Sequence, residues 1–487
     1  MSVGKRAASG ALWSVASSVG ARVIGLIGTL YMTRLLDPDV VGEVAAAMVL
    51  AQTANWLSNW GFNQYMIVRG PESAAATYHA AMTNWSFAVI GLTIAAFLGP
   101  AFEPVFDAPH LSGYLPGLVL SVFIRRFGAV PDKILAREMR FRELAIANGA
   151  GELMFTLTAL TLAAATSLGG DAIVIGNIVQ STVTTGLILR YTGFRWLTRS
   201  PWQWSRFTEI MRFGIPAGVS QVFNFASRYW DNLLFTRFFG TGVAGMYNMA
   251  YNLADIPAVQ FGEQMSGVLL PAMSSLDPAQ RKAAVVRSTG LMALAVFPMA
   301  VGLGAVADSL IALLLSPAWQ GVAPLLTVLS VLSVVRPMAW GVSSYLASYG
   351  RNRTLMILEA AKVVLLFGCI IGFRHLGPTW AAGAVGIAFG AHSLITIGVV
   401  IKLDGIPAGP MIGAFVRPLL ACAVMAAAVL GARHGLHAVG VTRPVFLVPI
   451  EIAVGGAAYV PAAFVFARPI ARDFLAQLKR ALKRGER

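Results

Sequence analysis

Polar side chains recur at helical spacing inside the apolar stretches of this chain, and they set the chemistry open to it. From Arg212 to Phe261 the sequence RFGIPAGVSQVFNFASRYWDNLLFTRFFGTGVAGMYNMAYNLADIPAVQF reads as two apolar helices joined by a short turn. Gln221, Asn224, Arg228 and Asp231 stand three or four residues apart in the first, and Asn248, Asn252 and Asp255 form a similar stripe in the second. A helix turns once per about 3.6 residues, so each set shares a face. Gln52, Asn55 and Asn59 make another such stripe, and Arg22 shares a face with Ser14, Ser18, Gly25 and Thr29, with no acid on its helix to neutralise it. A charged group at the centre of a bilayer costs roughly 2.5–3.5 kcal/mol, so these stripes are expected to face a water-filled cavity rather than lipid. The plainer reading is that they hold helices together, at about 0.6 kcal/mol per contact. Several stripes on different helices favour a shared cavity.

The elements that position them follow from composition. Of 487 residues, 57% are hydrophobic and 12% charged, against about 25% charged in soluble domains. Long apolar runs recur with little between them, which defines an all-α, polytopic membrane protein. Fourteen spans are expected, at roughly 8–33, 41–61, 79–99, 112–132, 143–167, 171–191, 211–236, 243–269, 287–306, 321–348, 354–373, 380–401, 410–431 and 444–467. The opening MSVGKRAASG runs into a long span with no clear cleavage site, so the first span is read as retained.

A net charge of +15 on a soluble chain would suggest nucleic acid. Here the basic residues concentrate in alternate loops, as the positive-inside rule requires, and no nucleic acid partner is expected. Arg125, Arg126, Lys133, Arg137, Arg140 and Arg142 surround the end of span four, and Arg190, Arg195, Arg199, Arg206 and Arg212 follow span six. The opposite loops hold few, and loops 100–111 and 307–320 have none. Both termini are thus expected in the cytoplasm. The tail FLAQLKRALKRGER is amphipathic and suits an anionic membrane surface. Cys369 and Cys422 fit no metal spacing, and neither cofactor nor metal is expected.

An internal repeat organises the spans. TRLLDPDVVG from Thr33 matches TRFFGTGVAG from Thr236 at Thr33/Thr236, Arg34/Arg237, Val40/Val243 and Gly42/Gly245, all at an offset of 203. Leu135, Ala136, Arg140, Arg142 and Leu144 match Leu346, Ala347, Arg351, Arg353 and Leu355 at an offset of 211. The unit is six helices, so the copies are parallel, and parallel repeats imply two lobes related by an axis along the membrane normal. The expected parts are a six-helix lobe over 1–200, a second over 201–405, and two further helices with a basic tail over 406–487.

GALWSVASSVGARVIGLIGTLYMTRLLDPDVVGEVAAAMVL, PDKILAREMRFRELA, RFGIPAGVSQ, LLFTRFFGTGVAGMYNMAYNLADIPAVQF and GRNRTLMILEAAK resemble recurrent segments of bacterial polysaccharide flippases. These form the polysaccharide-transport branch of the multidrug/oligosaccharidyl-lipid/polysaccharide exporter superfamily. The resemblance extends through about Leu403. It implies a V-shaped pair of six-helix lobes plus two extra helices in the bacterial inner membrane. It further implies alternating-access transfer of undecaprenyl-pyrophosphate-linked oligosaccharide to the periplasmic leaflet, for lipopolysaccharide, capsule or exopolysaccharide assembly. Membrane lipids are implied partners, with a glycan polymerase and export machinery as candidates.

Such a substrate needs cations for its pyrophosphate and a wet, hydrogen-bonding cavity for its sugars. Arg22, Arg228 and Arg336 are the candidates for the pyrophosphate, because guanidinium forks match phosphate oxygens bidentately. Arg228 has a competing reading as a pair with Asp231, and Arg336 as a donor to carbonyls freed by Pro337; Lys362 is expected to pair with Glu359. Gln52, Asn55, Asn59, Gln221, Asn224, Asn248 and Asn252 are the glycan candidates, with Trp56, Trp230, Tyr247 and Tyr251 able to stack on sugars or to serve as interfacial anchors. Asp231, Asp255, Glu263 and Glu152 are candidates for ion coupling. Arg417 and Glu451 are expected to pair across the last two spans. The nearest rival is a cation-coupled multidrug exporter of the same superfamily, which would favour an acidic cavity. A membrane enzyme such as a glycan polymerase lacks the large outer loop it would need, so the chain is read as no enzyme.

Overall fold

The computed structural model describes residues 24–59, 74–138, 140–193, 196–274, 277–332 and 351–485, with isolated positions at 20, 334, 342, 343, 345, 346 and 349; the side chains of 257–274 and 477–485 are not described. Among the described residues, secondary structure is helical throughout. The first helices are α1 (24–32), α2 (Pro38–Leu57), α3 (Ala74–Phe97), the short α4 (Gly99–Phe106), α5 (Leu111–Phe127), α6 (Ala129–Arg137), α7 (Phe141–Ala165) and α8 (Asp171–Thr192). A helical run Trp204–Ser274 follows, broken at Gly240 into α9 (204–239) and α10 (241–274). Then come α11 (Pro278–Ala305), the short α12 (Ala307–Leu314), α13 (Val322–Leu332), α14 (Asn352–Phe373), α15 (Pro378–Asp404), α16 (Ala408–Ala438), α17 (Pro444–Phe466) and α18 (Arg468–Gly485).

Among the described residues, nine helices are long and apolar enough to cross a membrane, or ten if α5 and α6, bent by 44° at their junction, count as one span. Each of the fourteen expected spans contains described helix; α9 and α10 carry the seventh and eighth, and α1 and α13 carry parts of the first and tenth. The expected loops 100–111 and 307–320 are corrected: each begins with an eight-residue helix, α4 and α12. Their apolar residues pack inward, with Ile311 buried and Phe102 and Phe106 against the core.

Proline sets many of the starts. It occupies the first turn of α2, α11, α15 and α17, where its missing N–H costs nothing and its fixed φ fits the helix. The preceding Asp37, Asp277 and Arg443 are extended, with ψ of 155°, 151° and 124°, as the proline ring demands of the residue before it. Gly240 breaks the long run with φ 83° and ψ 168°, a backbone only glycine adopts without strain.

Two compact units result, Met1–Gly245 and Met246–Arg487. The core of the first joins Val44 and Leu50 of α2, Leu92 of α3, Leu111, Leu115 and Leu118 of α5, and Phe225 and Leu233 of α9. The core of the second joins Phe297 of α11, Ile397 of α15, and Met411, Phe415 and Met425 of α16.

The two copies of the repeat have the same local geometry. Arg140 N–H closes on the Leu135 carbonyl at 2.9 Å, and Arg351 N–H closes on Leu346 at 3.1 Å. Their φ/ψ values are −85°/52° and −78°/47°. Each side chain then ties down the end of the copy's last helix. Arg140 donates to the Tyr191 carbonyl on α8 at 3.1 Å, and Arg351 forms a two-pronged pair with Asp404 on α15 at 2.9 and 3.0 Å.

Candidate functional site

The inward polar face of α2 opens onto two cavities of the first unit. The first, 370 Å³, is lined by Gln52, Asn55 and Trp56 of α2 and Asn59 just beyond it, Arg125 and Arg126 of α5, Asp132 and Lys133 of α6, Asn148 of α7, and Thr184 and Thr185 of α8. The second, 350 Å³, is lined by Met48, Val49, Gln52 and Trp56 of α2 and by Gln221, Asn224, Phe225, Arg228 and Tyr229 of α9. Gln52 and Trp56 belong to both. Six of the sequence candidates, Gln52, Asn55, Asn59, Gln221, Asn224 and Arg228, are thereby gathered on one polar tract.

The first cavity is a basic, hydrogen-bonding space. Three cations, Arg125, Arg126 and Lys133, line it against one carboxylate, Asp132, and Lys133 holds that carboxylate at 2.8 Å. Asn59 Oδ1 and Thr184 Oγ1 are buried in its wall with no hydrogen-bond partner among the described residues. A buried polar atom left so forfeits about 1–3 kcal/mol unless water or a ligand meets it. These atoms suit hydroxyl-rich or oxyanionic groups.

The two adjacent arginines have different work. Arg126 is only 4% exposed. Its Nη1 donates to Asn84 Oδ1 at 2.7 Å, and its Nη2 donates to Ser58 Oγ at 3.0 Å and to the Asn55 carbonyl. It therefore rivets α2, α3 and α5 together and braces the Asn55 backbone. Arg125 is exposed and lies in the field of Asp132 and Glu152, making no ion pair within 4 Å among the described residues. The sequence reading counted both as loop charge; a pair of arginines on the last turn of an apolar helix that turns straight into another helix was the signal of something more.

α9 is held to α2 by ring contacts and an indole–hydroxyl hydrogen bond. Trp230 Nε1 donates to Thr53 Oγ1 at 2.9 Å, and Trp56 lies 6.2 Å from Phe225, which stacks on Tyr229 at 4.7 Å. Trp56 lines both cavities. Tyr247 and Tyr251, open from sequence to stacking on sugars or to interfacial anchoring, are 0% and 5% exposed. They pack in the interior and leave no ring face free for a sugar.

The remaining candidates lie elsewhere. Asn252 donates to Asn248 at 3.0 Å on α10, in the second unit, where Asp255 is also buried. Asp231 is fully buried and accepts from the Asn232 N–H at 2.9 Å. Glu152 accepts from Gln180 at 2.7 Å, and Gly25 of α1 packs so closely that a side chain there would strike the Glu152 carboxylate. Lys362 pairs with Glu359 as expected. The expected Arg417–Glu451 pair is corrected: Arg417 is exposed, and Glu451 faces Ser309 and Arg433. Arg22 and Arg336, and the side chain of Glu263, lie outside the described residues.

Amides, hydroxyls and guanidinium groups set along apolar helices in this way can hold a polar, anionic solute, and the chain is a membrane transport protein. It belongs to the polysaccharide biosynthesis protein family, whose profile matches residues 31–324, in the polysaccharide-transport branch of the exporter superfamily. Among curated proteins it is similar to the lipopolysaccharide biosynthesis protein WzxC of Escherichia coli (strain K12), 25% identical over 400 residues that cover 80% of this chain and 78% of the relative. It is also similar to the succinoglycan biosynthesis transport protein ExoT of Rhizobium meliloti (strain 1021), 24% identical over 427 residues that cover 85% and 84%. In fold it is similar to the lipid II flippase MurJ in its inward closed conformation. That match has a TM-score of 0.76 at 15% identity and covers 94% of this chain and 99% of the other.

Proposed function

We propose that this protein flips a lipid-linked oligosaccharide across the bacterial inner membrane by alternating access, supplying lipopolysaccharide, capsule or exopolysaccharide assembly. In this reading the carrier is undecaprenyl pyrophosphate, and the transfer runs from the cytoplasmic to the periplasmic leaflet. The observation that carries it is the polar tract of the first unit. Cations (Arg125 and Arg228) and amides (Asn55, Asn59, Gln221 and Asn224) line two cavities that share Gln52 and Trp56. A pyrophosphate needs the first kind of group and sugars need the second. The relatives' roles in lipopolysaccharide and succinoglycan biosynthesis support a glycan as the cargo.

Arg228 and Arg125 take the phosphate oxygens, with Arg22 and Arg336 assigned the same role from sequence. The amides meet sugar hydroxyls, and Trp56 offers a ring face to a pyranose. The polyprenyl chain stays in lipid, so only the head group crosses the polar tract. Asp255 with Asp231, Glu152 and Glu263 remains the set from which ion coupling would draw.

A deletion strain tests the reading. It is expected to accumulate lipid-linked oligosaccharide on the cytoplasmic leaflet and to lose surface glycan, with rescue by the wild-type gene. Drug sensitivity with intact surface glycan would contradict it and point to a multidrug exporter.

A further inference from the structure

The two helices beyond the repeat carry a charged cluster that the transport tract does not use. Glu451 stands seven residues into α17, about 10 Å from its start, and is 0% exposed. Its Oε1 accepts from Ser309 Oγ of α12 at 2.9 Å, while Arg433 Nε of α16 stands 3.8 Å away. Arg433 Nη1 is committed elsewhere, to Asp308 Oδ2 of α12 at 2.8 Å. Glu451 Oε2 has no hydrogen-bond partner among the described residues.

Above this cluster lies a cavity of 480 Å³, lined by Asp308, Ser309, Arg433, His434, His437 and Leu447 among others. Leu447 is one helical turn nearer the start of α17 than Glu451, so the carboxylate sits just beneath the cavity floor, behind Ser309 and Arg433. The titratable groups facing it are Asp308 from α12 and Arg433, His434 and His437 from α16. α11 and α18 also pack against α17, but their titratable side chains are at the opposite end of the unit.

We propose that Glu451 is a proton-binding site, reached through this cavity from the face opposite the basic loops. Two carboxylates share one guanidinium, and the closer contact goes to the exposed one. The buried carboxylate is left with a distant cation, one hydroxyl donor and one bare oxygen. An ionised carboxylate in an apolar wall is costly unless fully paired, and taking up a proton removes that cost. The groups that face the Glu451 carboxylate are a hydroxyl donor and a guanidinium, donors rather than the oxygen ligands a metal ion needs, and they suit a proton. Protonation releases Arg433 to Asp308 and loosens the tie between α16 and α17. The acidity of that face thus acts on helices outside the repeat.

Infrared difference spectroscopy of the full-length protein in lipid bilayers, taken during acidification, tests this. The wild type is expected to gain the carbonyl band of a protonated carboxylic acid. Glu451→Gln is expected to lose that band and Asp308→Asn to keep it. Ser309→Ala removes a donor to the charged form, so the midpoint of the band's appearance moves to higher pH. A band unchanged by Glu451→Gln, or a midpoint indifferent to Ser309→Ala, overturns the proposal.

Discussion

Gly42 and Gly245 stand 203 residues apart in the chain, at matching positions of the repeat, and lie against each other backbone to backbone. The contact is reciprocal. A side chain on Gly42 would strike the Thr241 carbonyl, and one on Gly245 would strike the Pro38 carbonyl, Pro38 and Thr241 being themselves one repeat apart. Residue i meets j′ and j meets i′, so the segments 38–42 and 241–245 pack against each other symmetrically. Asp39 adds one asymmetric tie, accepting from Thr241 Oγ1 at 2.7 Å.

Substitution at this contact is expected to be costly on either side. Gly42→Ala and Gly245→Ala each force main chain apart, at about 1–3 kcal/mol for overpacking. Thermal unfolding of the purified protein should show a lowered midpoint for both, by similar amounts. A pair of neutral substitutions would mean that the helices part there without penalty.

Arg126 predicts a stability effect separable from transport. Asn84→Leu removes the acceptor of a charged donor that is buried. The loss is expected at about 1.5–3 kcal/mol, the range for hydrogen bonds to charged groups. Unfolding measured for Asn84→Leu should show it. Asn148→Ala, which lines the same cavity from an exposed position, should leave stability within about 0.5 kcal/mol of wild type.

Arg125 predicts the converse. Arg125→Ala should leave the fold intact while weakening binding of a pyrophosphate-bearing lipid. One charge-assisted hydrogen bond is worth about 1.5–3 kcal/mol, so affinity should fall by about tenfold to a hundredfold. Arg125→Lys should recover part of it, since a lysine keeps the charge but not the fork. Equal affinities of wild type and Arg125→Ala would remove this residue from the site.

Glu103 carries the pH dependence outside the membrane spans. Its carboxyl is held below the usual carboxylate range, first by the Ser112 hydroxyl and then by the Ser112 N–H, while burial opposes them slightly. A carboxyl depressed in this way stabilises the fold above its ordinary range. That support is lost as pH falls through the depressed value. Ser112→Ala should therefore lower the unfolding midpoint near neutral pH, with the gap to wild type closing in strong acid. A gap that widens in acid would reverse the assignment.

Helix placement was largely legible in the sequence because apolar length and alternating loop charge report directly on a bilayer. The Arg140 and Arg351 turns were legible as a spacing match, and the structure adds that both end helices in the same way. α4 and α12 were read as loops because eight residues are too few to show a period against apolar neighbours. Gln52, Asn55 and Asn59 pointed to the tract through their spacing alone. Arg125 and Arg126 did not, because the positive-inside rule already accounted for them. The roles of Tyr247 and Tyr251 stayed open for a related reason: an aromatic in an apolar helix has the same spacing whether its ring is free or packed. The partner of Glu451 is set by how α12, α16 and α17 meet, which no local pattern encodes.

The central claim is tested most directly by purified protein in vesicles that carry a fluorescent lipid-linked oligosaccharide, with a membrane-impermeant reagent added outside to report which leaflet holds the sugar. Wild-type vesicles should bring nearly all of the label within reach, and Arg125→Ala and Arg228→Ala vesicles should do so far more slowly with equal protein incorporated. Labelling in wild-type vesicles no faster than in protein-free ones, under conditions where the protein is folded, would contradict the account.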